Sequence, residues 1–140
     1  MRIITLNDVE YVAFLLARQF LAYEEPIPDF STMFPNILES CILTPFQKFS
    51  GKPLYPAFVK KAAILLYLLI KNHPFQNGNR KIALTTLLTF LNLNNKWLVA
   101  DDQELYNFTV WVAQSPAGLK KQVVSAIEEF VRRHLVDLNR

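Results

Sequence analysis

The feature that most constrains this chain is a pair of strongly apolar helical segments separated by one short polar loop. The first segment has a wide apolar face formed by Phe58, Ala62, Leu65, Leu66 and Leu69. The second has another, formed by Ile82, Leu84, Leu87, Leu88 and Leu91. Apolar residues on nearly all sides of a helix are typical of helices buried inside a domain. The sequence therefore predicts an all-α core built on these two helices.

Two shorter helices are predicted before this pair. Thr5 and Asp8 have the spacing of a capping box, and apolar residues then recur at helical spacing as far as Phe20. A second short helix covers residues 36–43. Residues 44–56 contain three prolines and one glycine, which indicates a loop or a small exposed hairpin.

Two further helices are predicted after the pair. Asp101 and Glu104 repeat the capping spacing at the start of one of them. Ser115 and Pro116 suit the N-cap and the first position of the other. The prediction is a bundle of about six helices with at most a small hairpin, forming a single domain over residues 1–140.

Composition excludes several classes of protein. A chain of 140 residues that is 51% hydrophobic and 19% charged has the composition of a folded domain. Its net charge of +3 comes from scattered Lys and Arg, so we expect no nucleic-acid partner. The single cysteine, Cys41, excludes an intrachain disulfide and is interpreted as a small buried apolar residue. The apolar run from Ala62 to Ile70 is shorter than the ~18 residues of a membrane span, so we expect no membrane association and a cytoplasmic location.

The polar loop, residues 73–81 with the sequence HPFQNGNRK, has the composition of an anion-binding turn. Gly78 permits a positive φ, and Asn79 is well placed to cap the helix that follows. The backbone amides of Gly78, Asn79 and Arg80 would then lie at a helix N-terminus, which attracts phosphate. Arg80 and Lys81 add positive charge beside those amides.

The same loop carries one of the two histidines of the chain, His73. An imidazole can accept or donate a proton near neutral pH, and a base beside a phosphate site suits group transfer to a hydroxyl. Phe75 is predicted to insert into the core and fix the loop, and Asn77 could direct its carbonyl oxygen to a metal ion or a water molecule. An ordinary helix–turn–helix connector with no catalytic role is the alternative, and the GxxxxGK phosphate loop is absent.

The loop resembles the signature of the Fic/Doc superfamily, which reads H-P-F-x-D/E-G-N-G/K-R, and is most similar to the death-on-curing (Doc) branch. The segments "ILES" at 37–40 and "DDQELYNFTVWVA" at 101–113 resemble flanking segments of that branch. The resemblance implies an all-α Fic fold. It also implies transfer of a phosphate-containing group from a nucleotide to a protein hydroxyl.

The resemblance also implies roles for individual residues of the loop. His73 matches the motif histidine, which is the general base of the superfamily. Gly78 and Asn79 match its anion-binding residues. Asn77 stands at the acidic position that usually binds Mg²⁺, which makes a metal site at Asn77 doubtful because a neutral amide replaces a carboxylate.

The two basic residues of the motif favour one of the superfamily's reactions. Arg80 stands where AMP-transferring members have Gly and Doc-like kinases have Lys, and Lys81 stands at the position of the family Arg. The resemblance thus implies a Doc-like toxin that uses ATP or another nucleoside triphosphate, with Mg²⁺, to phosphorylate Ser or Thr of a host protein. A translation factor is the target that the analogy suggests.

The resemblance implies two partners, a target protein and an antitoxin. Residues 44–56 match a flap that positions the target, with Phe46, Phe49 and Tyr55 as contact residues. The five residues from Ser125 to Glu129 match part of an inhibitory segment of some Fic proteins.

Two alternatives to the kinase remain open. One is an AMP or other NMP transferase that uses the same loop. The other is a catalytically degraded Fic-fold binding module, which is favoured by the neutral Asn77 and by the exchanged order of Arg80 and Lys81.

Overall fold

The structure, a computed structural model, describes residues 1–19 and 25–139. Within these ranges the chain forms six helices, which confirms the predicted all-α bundle. Helix α1 covers residues 6–19 of the described part, and its predicted end at Phe20 lies outside the described residues. The other helices are α2 (Pro35–Leu43), α3 (Phe58–Lys71), α4 (Asn79–Leu93), α5 (Asp102–Gln114) and α6 (Lys120–His134).

Helix α1 begins at the predicted capping box. The Asp8 amide donates to Thr5 Oγ1 at 3.2 Å, and the Thr5 amide donates to Asp8 Oδ2 at 2.9 Å. Each side chain thus satisfies a backbone donor that the first turn leaves unpaired. A π-helical turn, Val9–Ala13, follows within the helix.

Helices α3 and α4 form the centre of the bundle, as their apolar faces predict. Helix α3 packs against α4 on one side and α6 on another, while α4 also contacts α1 and α5. From Lys81 to Leu91 every residue of α4 is buried. Since each buried large aliphatic side chain contributes about 1.5–3 kcal/mol, this pair of helices supplies much of the stability and holds the loop between them in place.

Two small antiparallel sheets accompany the helices, of which one is the predicted hairpin and the other was not predicted. Strands β1 (Lys48–Phe49) and β2 (Lys52–Pro53) form the predicted hairpin. Strands β3 (Lys96–Leu98) and β4 (Leu135–Asp137) form the second sheet. That pairing joins segments about forty positions apart, so no local turn pattern in the sequence predicts it.

The start of the last helix also differs from the prediction. Ser115 does not cap α6, because its hydroxyl donates to the Val112 carbonyl at 2.6 Å and closes the end of α5. A 3₁₀ turn, Ala117–Leu119, intervenes before α6 begins at Lys120. A short hydroxyl side chain can bond to the helix before it or after it, and here the preceding carbonyl is the partner.

Cys41 is buried in α2, as predicted for a small apolar residue. Its thiol donates to the Leu68 carbonyl at 3.5 Å, and burial raises its pKa to about 11 despite the nearby Asn72 amide. None of the helices in the described ranges is both long enough and apolar enough to cross a membrane.

Candidate functional site

The loop between α3 and α4 is closed by the side chain of Asn79. Its Oδ1 accepts a hydrogen bond from the Phe75 amide at 3.0 Å, and its Nδ2 donates to the Phe75 carbonyl at 2.9 Å. Asn79 is the first residue of α4 and Gly78 is its N-cap. The prediction that Asn79 caps the helix is therefore wrong, because its amide group clamps the preceding loop instead.

Phe75 inserts into the core, as predicted. Its side chain is 2% exposed, and its ring meets the Phe14 ring edge-on with 5.1 Å between centroids. Phe14 in turn meets Phe30 at 5.1 Å. This cluster fastens the centre of the loop to α1 and to the segment before α2, so the residues on either side of Phe75 have little freedom to move.

His73 is exposed at the start of the loop and has a φ of +49°. A proline disfavours the right-handed α region for the residue before it, and the His73 backbone adopts the left-handed region rather than an extended one. The Pro74 carbonyl accepts from the Phe34 amide at 2.9 Å. With Phe75 also buried, the loop is held directly after the strained backbone of His73, and such strain is often found at functional sites.

Position 78 requires glycine for two reasons, its backbone conformation and the atoms packed against it. Its φ is +72°, which is costly for residues with a side chain. A Cβ atom there would lie 2.9 Å from the Pro26 carbonyl oxygen and 3.2 Å from Ile27 Cδ1. The close approach places the segment that contains Glu25 directly against the beginning of α4.

Glu25 occupies the N-terminus of α4, a contact that the sequence analysis missed. Its Oε2 accepts from the Lys81 amide at 3.3 Å and from the Tyr106 hydroxyl at 3.0 Å, and it lies 3.5 Å from Arg80 Nε. A carboxylate is favourable at this end of a helix. Since Glu25 lies 56 positions before Lys81, no local pattern could have identified the contact.

The charges of this cluster support one another. Burial alone would lower the pKa of Arg80, but the Glu25 carboxylate and Tyr106 outweigh it and hold that pKa above its ordinary value. Burial and the same carboxylate raise the pKa of Tyr106 to about 12, so its hydroxyl remains a donor. The Arg80 guanidinium carbon lies 5.8 Å from the centre of the Tyr106 ring. Arg80 is thus held as a cation beside the Glu25 carboxylate, which is the anionic group of this cluster.

Two backbone amides at this helix end, those of Asn79 and Arg80, are candidates for binding an anion. Neither donates a hydrogen bond to any of the residues that the structure describes. Together with the Arg80 side chain, which is 36% exposed, they form a place where phosphate oxygens could be bound. Lys81 is in the same turn, but its side chain is only 1% exposed.

Asn77 is exposed in the loop and offers one neutral amide oxygen. Across residues 1–19 and 25–139, no three His, Cys, Asp or Glu side chains are grouped closely enough to hold a metal ion. Because Mg²⁺ prefers carboxylate and phosphate oxygens, these residues do not by themselves fit a magnesium site.

The three predicted flap residues occupy different environments. Phe49 in β1 is 74% exposed. Phe46 is partly buried, and its ring meets the Phe90 ring edge-on with 5.6 Å between centroids. Tyr55 is also partly buried, and its carbonyl accepts from Lys61 Nζ. Of the three, Phe49 presents most of its side chain to solvent.

The segment that resembles an inhibitory motif lies on α6. Glu129 pairs with Arg132 at 3.8 Å and with Arg133 at 4.0 Å, both on its own helix. Its side chain is 60% exposed. Among the residues that the structure describes, Glu25 is a carboxylate that contacts the start of α4.

Comparison with known proteins gives two matches. The sequence model of a family described as "Fic/DOC family" matches residues 5–91, which is more than half of the chain. A protein named Toxin Doc from Mycolicibacterium smegmatis is 35% identical over 66 residues, which cover 47% of this chain and 51% of that protein. The chain thus spans about half the length of this relative. No solved structure gives a significant match.

We predict that Gly78→Ala lowers the free energy of unfolding by about 2–4 kcal/mol, because strain at positive φ adds to a clash with the Pro26 carbonyl. Gly51→Ala separates the two causes, since Gly51 has a φ of +77° but open space around it. Gly118→Ala has neither problem and serves as the control. Urea denaturation measures the free energy of unfolding of all three variants. Equal losses of stability in Gly78→Ala and Gly51→Ala would show that the contact with the Pro26 carbonyl adds no cost.

We also predict that His73→Gly is about 1 kcal/mol more stable than His73→Ala, because only glycine relieves the left-handed backbone without strain. Asn95, with a φ of +60°, provides a matched pair of variants. In thermal denaturation, Asn95→Gly should likewise have a higher melting temperature than Asn95→Ala. If the two His73 variants unfold at the same temperature, the loop relaxes and stores no strain.

Proposed function

The chain belongs to the Fic/DOC family, and on that premise we propose that it is a Doc-like toxin that phosphorylates proteins. The reaction would transfer the γ-phosphate of a nucleoside triphosphate, ATP in the simplest case, to a Ser or Thr hydroxyl. The observation that carries the proposal is an exposed histidine, His73, at one end of a clamped loop whose other end is a helix N-terminus beside Arg80.

The proposed mechanism assigns one task to each part of the site. The free amides at the start of α4 and the Arg80 guanidinium would bind phosphate oxygens of the nucleotide. His73 would accept the proton of the target hydroxyl. The hydroxyl oxygen would form a bond to the γ-phosphorus while the bond to the β–γ bridging oxygen breaks, and the nucleoside diphosphate would leave with that electron pair.

A magnesium ion would be held mainly by the nucleotide phosphates, because Asn77 provides only a neutral oxygen. The resemblance to Doc-like proteins also suggests an antitoxin that covers this site. Phe49, on the exposed hairpin, is the best-placed flap residue to contact a target protein.

A histidine variant tests the proposed transfer. Purified protein is incubated with bacterial lysate and ATP labelled on the γ-phosphate, and we expect a labelled protein band. His73→Ala should reduce the label at least about a hundredfold, the lower range for removal of a general base. His134→Ala is the matched control, because His134 lies at the end of α6 with its Nδ1 2.8 Å from the Phe130 carbonyl oxygen.

The position of the label separates the alternatives. Labelling from the α-phosphate instead of the γ-phosphate would establish NMP transfer. The absence of label from either position would favour a binding module without catalytic activity. Equal labelling by His73→Ala and the unsubstituted protein would reject His73 as the base.

We predict that Glu25→Gln tightens nucleotide binding about tenfold, because it removes a negative charge from the place where phosphate would bind. The substitution keeps the shape of the side chain and one hydrogen-bond acceptor. Isothermal titration with ATP measures the affinity. Glu129→Gln is the matched control and should leave the affinity for ATP nearly unchanged. A higher affinity in Glu129→Gln but not in Glu25→Gln would contradict a phosphate site beside Glu25.

A further inference from the structure

A groove near the N-terminal end of α3, away from His73, has no role in the proposed reaction. It lies between the start of α3, the start of α6 and the residues that follow β2, and it has a volume of about 620 Å³. Its apolar lining residues include Leu54, Val124 and the buried Ile64. We name it the lysine groove, because three of its lining residues are Lys60, Lys120 and Lys121.

The lysine groove has an excess of positive charge. Lys60 Nζ pairs with Glu128 Oε1 at 3.1 Å, which offsets one charge. Lys120 Nζ lies 5.8 Å from the centre of the Tyr67 ring. Within the described part of the chain, no carboxylate comes within ion-pair distance of Lys120 or Lys121. Two cations therefore stand beside an apolar surface without an acidic partner there.

We propose that the lysine groove binds an acidic peptide segment of the protein substrate. The apolar surface suits aliphatic side chains of such a segment, and the two lysines suit its carboxylates. Since each interaction alone is weak, a segment that combines both is the ligand that fits the groove. This inference rests on the proposed function, because it assigns the groove to the protein that would be modified.

The separation between the groove and His73 along α3 sets a minimum length for a substrate segment that reaches both. Ile64 lies nine residues before His73, most of them in α3, which corresponds to about 13 Å along the helix. The β1–β2 hairpin leads directly to Leu54 at the groove. A bound peptide would need at least about four extended residues to reach from Ile64 to His73. The acidic segment would therefore lie at least that far from the modified hydroxyl.

Nucleic acid is a less suitable ligand than an acidic peptide. A phosphate backbone would gain little from the apolar lining residues of the groove. The test below includes an oligonucleotide for this reason.

Two synthetic peptides test the proposal. They share leucines at the same positions and carry either Glu or Lys at all polar positions, and both have a fluorescent label. Fluorescence anisotropy should show binding of the Glu peptide, weakened by added salt, and no binding of the Lys peptide. Similar affinity for both peptides would overturn the proposal.

Matched variants locate the binding site. Lys120→Gln/Lys121→Gln should weaken binding of the Glu peptide about fivefold. Arg132→Gln/Arg133→Gln removes the same charge from the other end of α6, outside the groove, and should leave binding nearly unchanged. Equal effects of both double variants would overturn the proposal, and circular dichroism verifies that each variant is folded.

Two further measurements separate this inference from the proposed reaction. His73→Ala should bind the Glu peptide as the unsubstituted protein does, so binding can persist even if no phosphate transfer is found. A thymidine oligonucleotide is the competing probe. If it binds more tightly than the Glu peptide and loses affinity in Lys120→Gln/Lys121→Gln, the groove is a nucleic-acid surface and the proposal is wrong.

Discussion

The paired hydrogen bonds between Asn79 and the backbone of Phe75 are the interaction on which the site depends. They close the loop between the two central helices while the Phe75 ring is buried against Phe14. Neither contact would hold the loop alone, since an isolated turn pays a large entropic cost for one conformation. Together they fix His73 at one end of the loop and the start of α4 at the other.

The helix end that this loop presents is already partly neutralised within the protein. Glu25 bonds to an amide of the first turn, to Tyr106 and to Arg80. A protein that binds phosphate must balance a strong positive site against the instability that such a site causes when empty. The Glu25 carboxylate provides that balance here, and under the proposed function a nucleotide would have to compete with it.

Helix α3 links the two places where function is proposed. His73 follows its C-terminal end, while Lys60 and Ile64 near its other end line the lysine groove. Burial of most of α3 in the core keeps the separation between them constant. The β1–β2 hairpin, with Phe49 exposed, leads to the same groove. A protein substrate that reached both places would contact the hairpin, the groove and the loop after α3.

The sequence alone predicted the helices, the capping box at Thr5 and the burial of Phe75, because apolar periodicity and local hydrogen bonds need only neighbouring residues. It predicted the wrong partners for Asn79 and Ser115, since a short polar side chain can bond in either direction along the chain. Only the tertiary structure decided the contact of Glu25 with α4 and the pairing of β3 with β4. Both contacts join segments that are distant in the chain. Their approach depends on the packing of the whole core, and no periodic pattern in the sequence indicates it.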